Sequence, residues 1–169
     1  MKHRTIRSAA VLLLILLLCT AAACGKPAEE GTATCTVSIS CTTILDNMDK
    51  CSAEKQALVP ADGVILPSGT VRFTPGESVF DVLQRVCKKN KIHLEFDWTP
   101  LYNSAYIQGI GNLYEFDVGA NSGWMYSVNG WFPNYGCSRY ELQEGDVVEW
   151  VYTCDLGRDV GGGYAAGEA

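Results

Sequence analysis

The sequence predicts an α+β fold, a two-layer domain with one main helix packed on a mixed β-sheet. Three observations carry this. One segment, Gly76–Ile92, repeats its apolar residues at helical spacing. The segments before and after it alternate with period two, or are apolar runs bounded by turn residues. No second stretch of comparable length keeps a helical period. A lone apolar helix stripe has to be covered, and a sheet with one apolar face is the partner such a chain supplies.

Taken in order, "TCTVSISC" places Cys35, Val37, Ile39 and Cys41 on one strand face and Thr and Ser on the other. Residues 42–63 are mixed and partly helical, a connector without a clear period. "GVILPSGTVRFTPG" reads as two short β-rich runs around the turn Pro67-Ser68-Gly69. The helix follows, with Ser78 as N-cap and Asp81 three residues on, close to a capping box. Val79, Val82, Leu83, Val86 and Cys87 form its stripe, Lys88, Lys89 and Lys91 suit the negative end of its dipole, and Asn90 is the expected stop. "IHLEFDW" alternates as a strand. Residues 99–123 are rich in Gly and Tyr and poor in period, and Gly109, Gly111 and Gly119 make them a bent, closely packed connection. "WMYSV" is a strand, Asn129-Gly130 a tight turn, and Pro133 keeps the returning arm short. "EGD" turns the chain into a last strand, Val147–Cys154. A strand, a hairpin-like pair, a helix and further strands fit the β-grasp arrangement best.

The N-terminus reads differently. "MKHRTIR" followed by "AAVLLLILLLCTAAA" has the charged and apolar regions of a secretory leader, and the run is short for a spanning helix. Ala21-Ala22-Ala23-Cys24 resembles a bacterial lipobox, which makes Cys24 the expected lipidation site; a plain leader cut near Ala23 is the other reading. Residues 1–23 are therefore the expected lipoprotein signal peptide, 24–34 a flexible tether, 35–159 the domain and 160–169 a disordered tail. These assignments place the domain on the extracytoplasmic face of the cell membrane, held by a lipid. Loss of Lys2, Arg4 and Arg7 moves the formal charge from −6 to −9. So acidic a chain repels phosphate backbones and is not expected to bind nucleic acid. Six further cysteines, Cys35, Cys41, Cys51, Cys87, Cys137 and Cys154, suit an exported, disulfide-bonded domain. Cys137–Cys154 is the preferred bridge, at the outer ends of two segments expected to pair as strands, with a loop whose closure is worth roughly 3 kcal/mol. Buried free thiols are the alternative.

"GESVFDVLQRVCKKNKI", then "YIQGIGNLYEFDVGANSGWMYSVNG", then "YELQEGDVVEWVY" occur in this order. The series resembles the C-terminal domain of transcobalamin and intrinsic factor and the bacterial domain-of-unknown-function family related to it. The likeness spans roughly Gly63–Asp159, with "SGWMYSVNG" and "GDVVEW" its most specific parts. The resemblance implies a β-grasp-like domain. It also implies cobalamin as a possible ligand rather than a resident cofactor. In the animal carriers a separate helical domain supplies the other half of the site. No such domain is legible here, so the chain would offer one wall of a corrinoid site or bind something else. No individual ligand contact carries over.

No catalytic constellation stands out. His93 and Glu95 share one strand face in "IHLEF" without a marked nucleophile, and no HExxH, phosphate loop or nucleophile elbow occurs. "DNMDK" lacks the ligand spacing and central Gly of a calcium loop. All four Trp and most Tyr fall between Phe96 and Tyr152. Trp124, Tyr126, Trp150 and Phe116 are expected core. Trp131, Phe132 and Tyr135 follow a tight turn beside Pro133 and either form a ligand-gripping platform or fold over residues 107–112. The candidate site joins them to Tyr106 and Tyr114, with Asn129 and Asn134 as hydrogen-bonding groups. The expected function is non-catalytic capture of a small molecule, a corrinoid being the named candidate. Docking of another surface protein on the same patch is the second reading and a hydrolase the third.

Overall fold

The computed structural model describes residues 31–101 and 103–163. The expected leader, Cys24 with most of the tether, and residues 164–169 lie outside the described residues.

Strand β1 (Ala33–Ser40) starts inside the expected tether and alternates throughout: Ala33, Cys35, Val37 and Ile39 are buried, and the Thr and Ser between them half-covered. A short helix α1 (Thr42–Leu45), a 3-10 turn (Met48–Lys50) and a second short helix α2 (Ala53–Gln56) make up the connector. Strand β2 (Val64–Phe73) corrects the expected pair of runs. It is one ten-residue strand that passes through Pro67-Ser68-Gly69 and pairs antiparallel with β1, with register shifts at Val37, Ile39 and Ser40. Pro is tolerated because β2 is an edge strand, where one side of the ladder is open.

Helix α3 (Val79–Asn90) has a complete capping box. Ser78 Oγ accepts from the Asp81 N–H at 3.2 Å, and the Asp81 carboxylate accepts the Ser78 N–H at 2.8 Å. Val79, Phe80, Val82, Leu83, Val86 and Cys87 are buried on its inner face. Burying each large apolar side chain of this kind stabilises by about 1.5–3 kcal/mol. The helix closes on Lys91, left-handed at φ 57°, one residue beyond the expected stop.

The region after the helix builds a second sheet where one sheet was expected. Strands β3 (Leu94–Thr99), β4 (Ser104–Ile110) and β5 (Leu113–Tyr114) lie in that order, antiparallel. Gly111 and Asn112, at φ 64° and 63°, close a two-residue turn that sets Ile110 opposite Leu113. Much of the bent connection read in the sequence is therefore strand. Strand β6 (Gly123–Val128) pairs with the last strand β7 (Val147–Thr153), which runs parallel to β1. The first sheet has the order β2-β1-β7-β6, a mixed sheet with its first and last strands side by side, as in a β-grasp.

Two apolar clusters result. The main one joins α3 to the sheets, with Ile39, Phe73, Leu83, Ile110 and Trp150 inside. A smaller one, Cys41, Ile44, Cys51, Leu113, Val118 and Tyr152, ties the connector to β5 and to the loop after it. The Cys137–Cys154 bridge is corrected: all six described cysteines are free. Cys137 opens a 3-10 turn (Cys137–Arg139), not a strand opposite β7, and its thiol donates to the Ala105 carbonyl at 3.8 Å. Cys154 packs against the smaller cluster, with its sulfur 3.8 Å from Thr43 Oγ1. Beyond β7 the chain remains structured through a 3-10 turn (Arg158–Val160), into the segment expected as tail.

Candidate functional site

The two sheets lie against each other at β4 and β6 without pairing. The crease between them opens into a cavity of about 530 Å³. Three segments wall it: the start of β4 with Tyr106, the loop 115–123 running into β6 with Phe116, and the loop 133–139 with Tyr135. Met125 and Leu156 add apolar surface, and Glu115, Asn134 and Arg139 add polar groups. Loop 133–139 sits directly on β4. A Cβ on Gly136 would lie 1.7 Å from Ser104 Oγ, so this close approach requires glycine.

The loop carrying Phe116 is held from beneath. Val118 is buried in the smaller cluster. Ser122 Oγ accepts from the Val118 N–H at 3.1 Å and donates to the Gly119 carbonyl at 2.8 Å. The Tyr152 hydroxyl donates to the Tyr114 carbonyl at 2.7 Å, and the Trp124 indole N–H donates to the Leu113 carbonyl at 2.8 Å. Asp117 accepts the Tyr114 N–H at 2.7 Å and pairs with Lys55 of α2 at 3.0 Å. Above this scaffold Phe116 stands at φ 68° with 61% of its surface exposed. A left-handed backbone costs a bulky L-residue on the order of 1–2 kcal/mol, and an exposed ring gains nothing from burial to offset it.

The electrostatics are sparse. The Tyr106 hydroxyl donates to the Glu115 carboxylate. Burial, that hydrogen bond and the carboxylate charge together push the phenol up to about 12. The Tyr126 hydroxyl donates to the Tyr135 carbonyl at 2.9 Å, and burial pushes its phenol well above the usual range. Arg139 is exposed, and its guanidinium has no partner among the described residues.

Of the residues singled out in the sequence, Tyr106, Tyr135 and Asn134 lie on the cavity wall. Trp131 lies off it: 46% exposed, it meets Tyr135 edge-on at 6.0 Å, and Tyr135 stacks on Tyr140 at 6.3 Å. Phe132, Tyr114 and Asn129 are placed elsewhere, each for a specific reason. Phe132 is buried over Gly162, where a Cβ would come within 3.0 Å of its ring, and not over residues 107–112. Tyr114 donates to Glu95 at 2.7 Å and lies under the Lys55 ammonium, 4.5 Å from the ring centre. Asn129 spends its amide within the β6–β7 turn, donating to Asp146 at 2.8 Å and accepting the Val147 N–H at 2.9 Å. The sequence reading missed Phe116, expected in the core, and Glu115, Met125, Arg139 and Leu156. No local pattern marks them, because the crease is made by segments far apart in the chain. His93 is exposed just before β3, its ring 6.2 Å from the Tyr114 ring.

The two sheets, the single long helix and the aromatic-lined crease define a small α+β domain. Residues 76–154 match the family described as Domain of unknown function (DUF4430). Among solved structures, the chain is similar to haptocorrin in complex with Cbi, with a TM-score of 0.53 and 15% identity over 79% of this chain. The likeness covers 28% of the haptocorrin chain and shows the fold. A Ruminococcus gnavus ATCC 29149 protein described as a candidate metal-binding protein matches at a TM-score of 0.42 and 15% identity, over 72% of this chain and 96% of that one. No curated protein sequence matches the chain.

Proposed function

We propose that this chain is an exported, lipid-anchored protein whose domain captures a small molecule, without catalysis, in the crease between its two sheets. One observation carries the site: an apolar cavity of about 530 Å³ walled by Tyr106, Phe116 and Tyr135, with a few polar groups converging on it. That volume lies in the range of small-molecule sites. A corrinoid is the named candidate, since haptocorrin, which shares the fold, is in complex with Cbi. The cavity accommodates an edge or substituent of so large a ring system, and the remainder would face solvent or a second protein.

Two features support a non-catalytic role. Burial raises the thiols of Cys35, Cys41 and Cys87 to about 11 and Cys137 to about 12, which keeps them protonated and poorly nucleophilic at neutral pH. The exposed His93 has its ring beside the Tyr114 ring and no hydrogen bond to a serine, threonine or cysteine among the described residues. The ladder of exposed Trp131 and Tyr135 on half-buried Tyr140, beside the crease, favours a second reading, docking of another surface protein. Cys24 in its Ala-rich context supports the lipid attachment in this reading.

The deciding experiment is co-elution of cobalamin with the purified domain in gel filtration, read by visible absorbance. Bound colour that is lost in Tyr135→Ala supports corrinoid capture in the crease; a colourless protein peak removes the corrinoid. Retention of Trp131→Ala and wild type by the same envelope partner in equal amounts would count against docking through the ladder. Cys24→Ala is expected to move the protein from the membrane to the soluble fraction.

A further inference from the structure

We propose that Phe116 and Arg139 set the ligand class of the crease, which rests on the crease being the binding site: a flat apolar body carrying one anionic group, the body against Phe116 and the anion on Arg139. Phe116 combines two unfavourable features, a left-handed backbone and a ring left in solvent. The loop does not need that ring. Val118 anchors it in the smaller cluster, Ser122 and Asp117 bond its backbone, and Lys55 holds Asp117 from the connector. What the ring does face is the cavity, together with Tyr106 and Tyr135. Three aromatic walls favour a flat guest.

The charge of the guest follows from the two charged side chains on the wall. Glu115 already accepts the Tyr106 hydroxyl, so its carboxylate is engaged. Arg139 has no side-chain partner among the described residues, although the chain carries a net charge of −6 and offers many carboxylates. An unspent guanidinium beside apolar walls suits a carboxylate, sulfonate or phosphate, which it binds through two parallel N–H donors.

Two probes of nearly the same shape separate these contributions. 1-Anilinonaphthalene-8-sulfonate carries the anion, and N-phenyl-1-naphthylamine is the same ring system without it. Fluorescence titration of the whole domain should show Arg139→Gln weakening the sulfonate about tenfold, the loss of one charge-assisted contact, while the neutral probe changes less than about twofold. Phe116→Gly should weaken both by about tenfold. Glycine accepts the left-handed backbone, so this variant should unfold at the same temperature as wild type or higher, and lost binding cannot be put down to lost folding. Equal effects of Arg139→Gln on both probes, or full binding of both by Phe116→Gly, would overturn the assignment. If both probes bind, weaken in Tyr135→Ala and ignore the other two variants, the assignment falls and the crease remains a site. If neither probe binds wild type, both fall.

Discussion

The tip of the β6–β7 side and the loop at residue 116 both ask a non-glycine residue to adopt a left-handed backbone, and they meet that demand in opposite ways. At the tip, Asn129 stands at φ 53° before Gly130 at φ 77°. Asn tolerates this region, its amide bridges Asp146 and the Val147 N–H, and the Val128 and Trp131 backbones bond reciprocally at 2.8 and 3.0 Å. At the loop, Phe116 has neither tolerance nor a bonded side chain to recommend it. Where residue type and conformation agree, the residue serves the fold. Where they conflict and the surroundings enforce the conformation, the position is a candidate for function.

The largest effect should come from the tip. Asn129→Ala loses two hydrogen bonds, takes one donor from the buried Asp146 carboxylate and puts alanine into a left-handed turn. A loss of about 2–3 kcal/mol is expected, read as a fall in the urea midpoint at constant slope. The comparison breaks if this variant is as stable as wild type. Phe116→Gly should show the opposite sign: no loss, or a gain of about 1 kcal/mol, since it relieves strain without opening a core cavity. A loss of more than about 1 kcal/mol would mean that the ring supports the fold after all.

The same contrast explains what the sequence disclosed. Helix α3 was legible because its capping box and stripe are local: Ser78, Asp81 and the run Val79 to Cys87 lie within ten residues. The alternation of β1 and the Asn129-Gly130 turn are local in the same sense. The second sheet was not legible, because burial along β4 does not alternate cleanly and β5 is only two residues long, too short for a period. Strand β2 was divided in the reading because Pro67 and Gly69 look like a turn until an edge position explains them. Within the site, Tyr106, Tyr135 and Asn134 were reached by composition and turn chemistry. Phe116 and Arg139 were not, since what distinguishes them is a backbone angle and the lack of a partner among the described residues, and neither is written in neighbouring residues.

Lys55 tests whether the loop is enforced from outside. Its ammonium reaches Asp117 at 3.0 Å, the Asn112 carbonyl at 2.8 Å and the Tyr114 ring face at 4.5 Å. Lys55→Met keeps the stem and removes the charge. The stability cost should be small, about 0.5–1 kcal/mol, because the pair is partly exposed. Hydrogen exchange of the backbone N–H groups at 116–119 should quicken while that of α3 stays unchanged. Uniform exchange across both would show that the loop needs no clamp.

The smallest effect, and the finest probe of the crease, is the titration of Tyr106. Its phenol lies at about 12, raised first by burial and then by the Glu115 hydrogen bond and charge, against an ordinary value near 10. The raised group favours the protonated form in the folded state. Its contribution to stability is therefore complete below about pH 10 and fades as pH climbs through about 12. The difference in phenolate absorbance between wild type and Tyr106→Phe should rise near pH 12. In Glu115→Gln the same difference should move to lower pH yet remain above the ordinary tyrosine range, because burial, the larger cause, persists. A Tyr106 that titrates as a free phenol in wild type would show that neither the crease wall nor the Glu115 carboxylate acts on it.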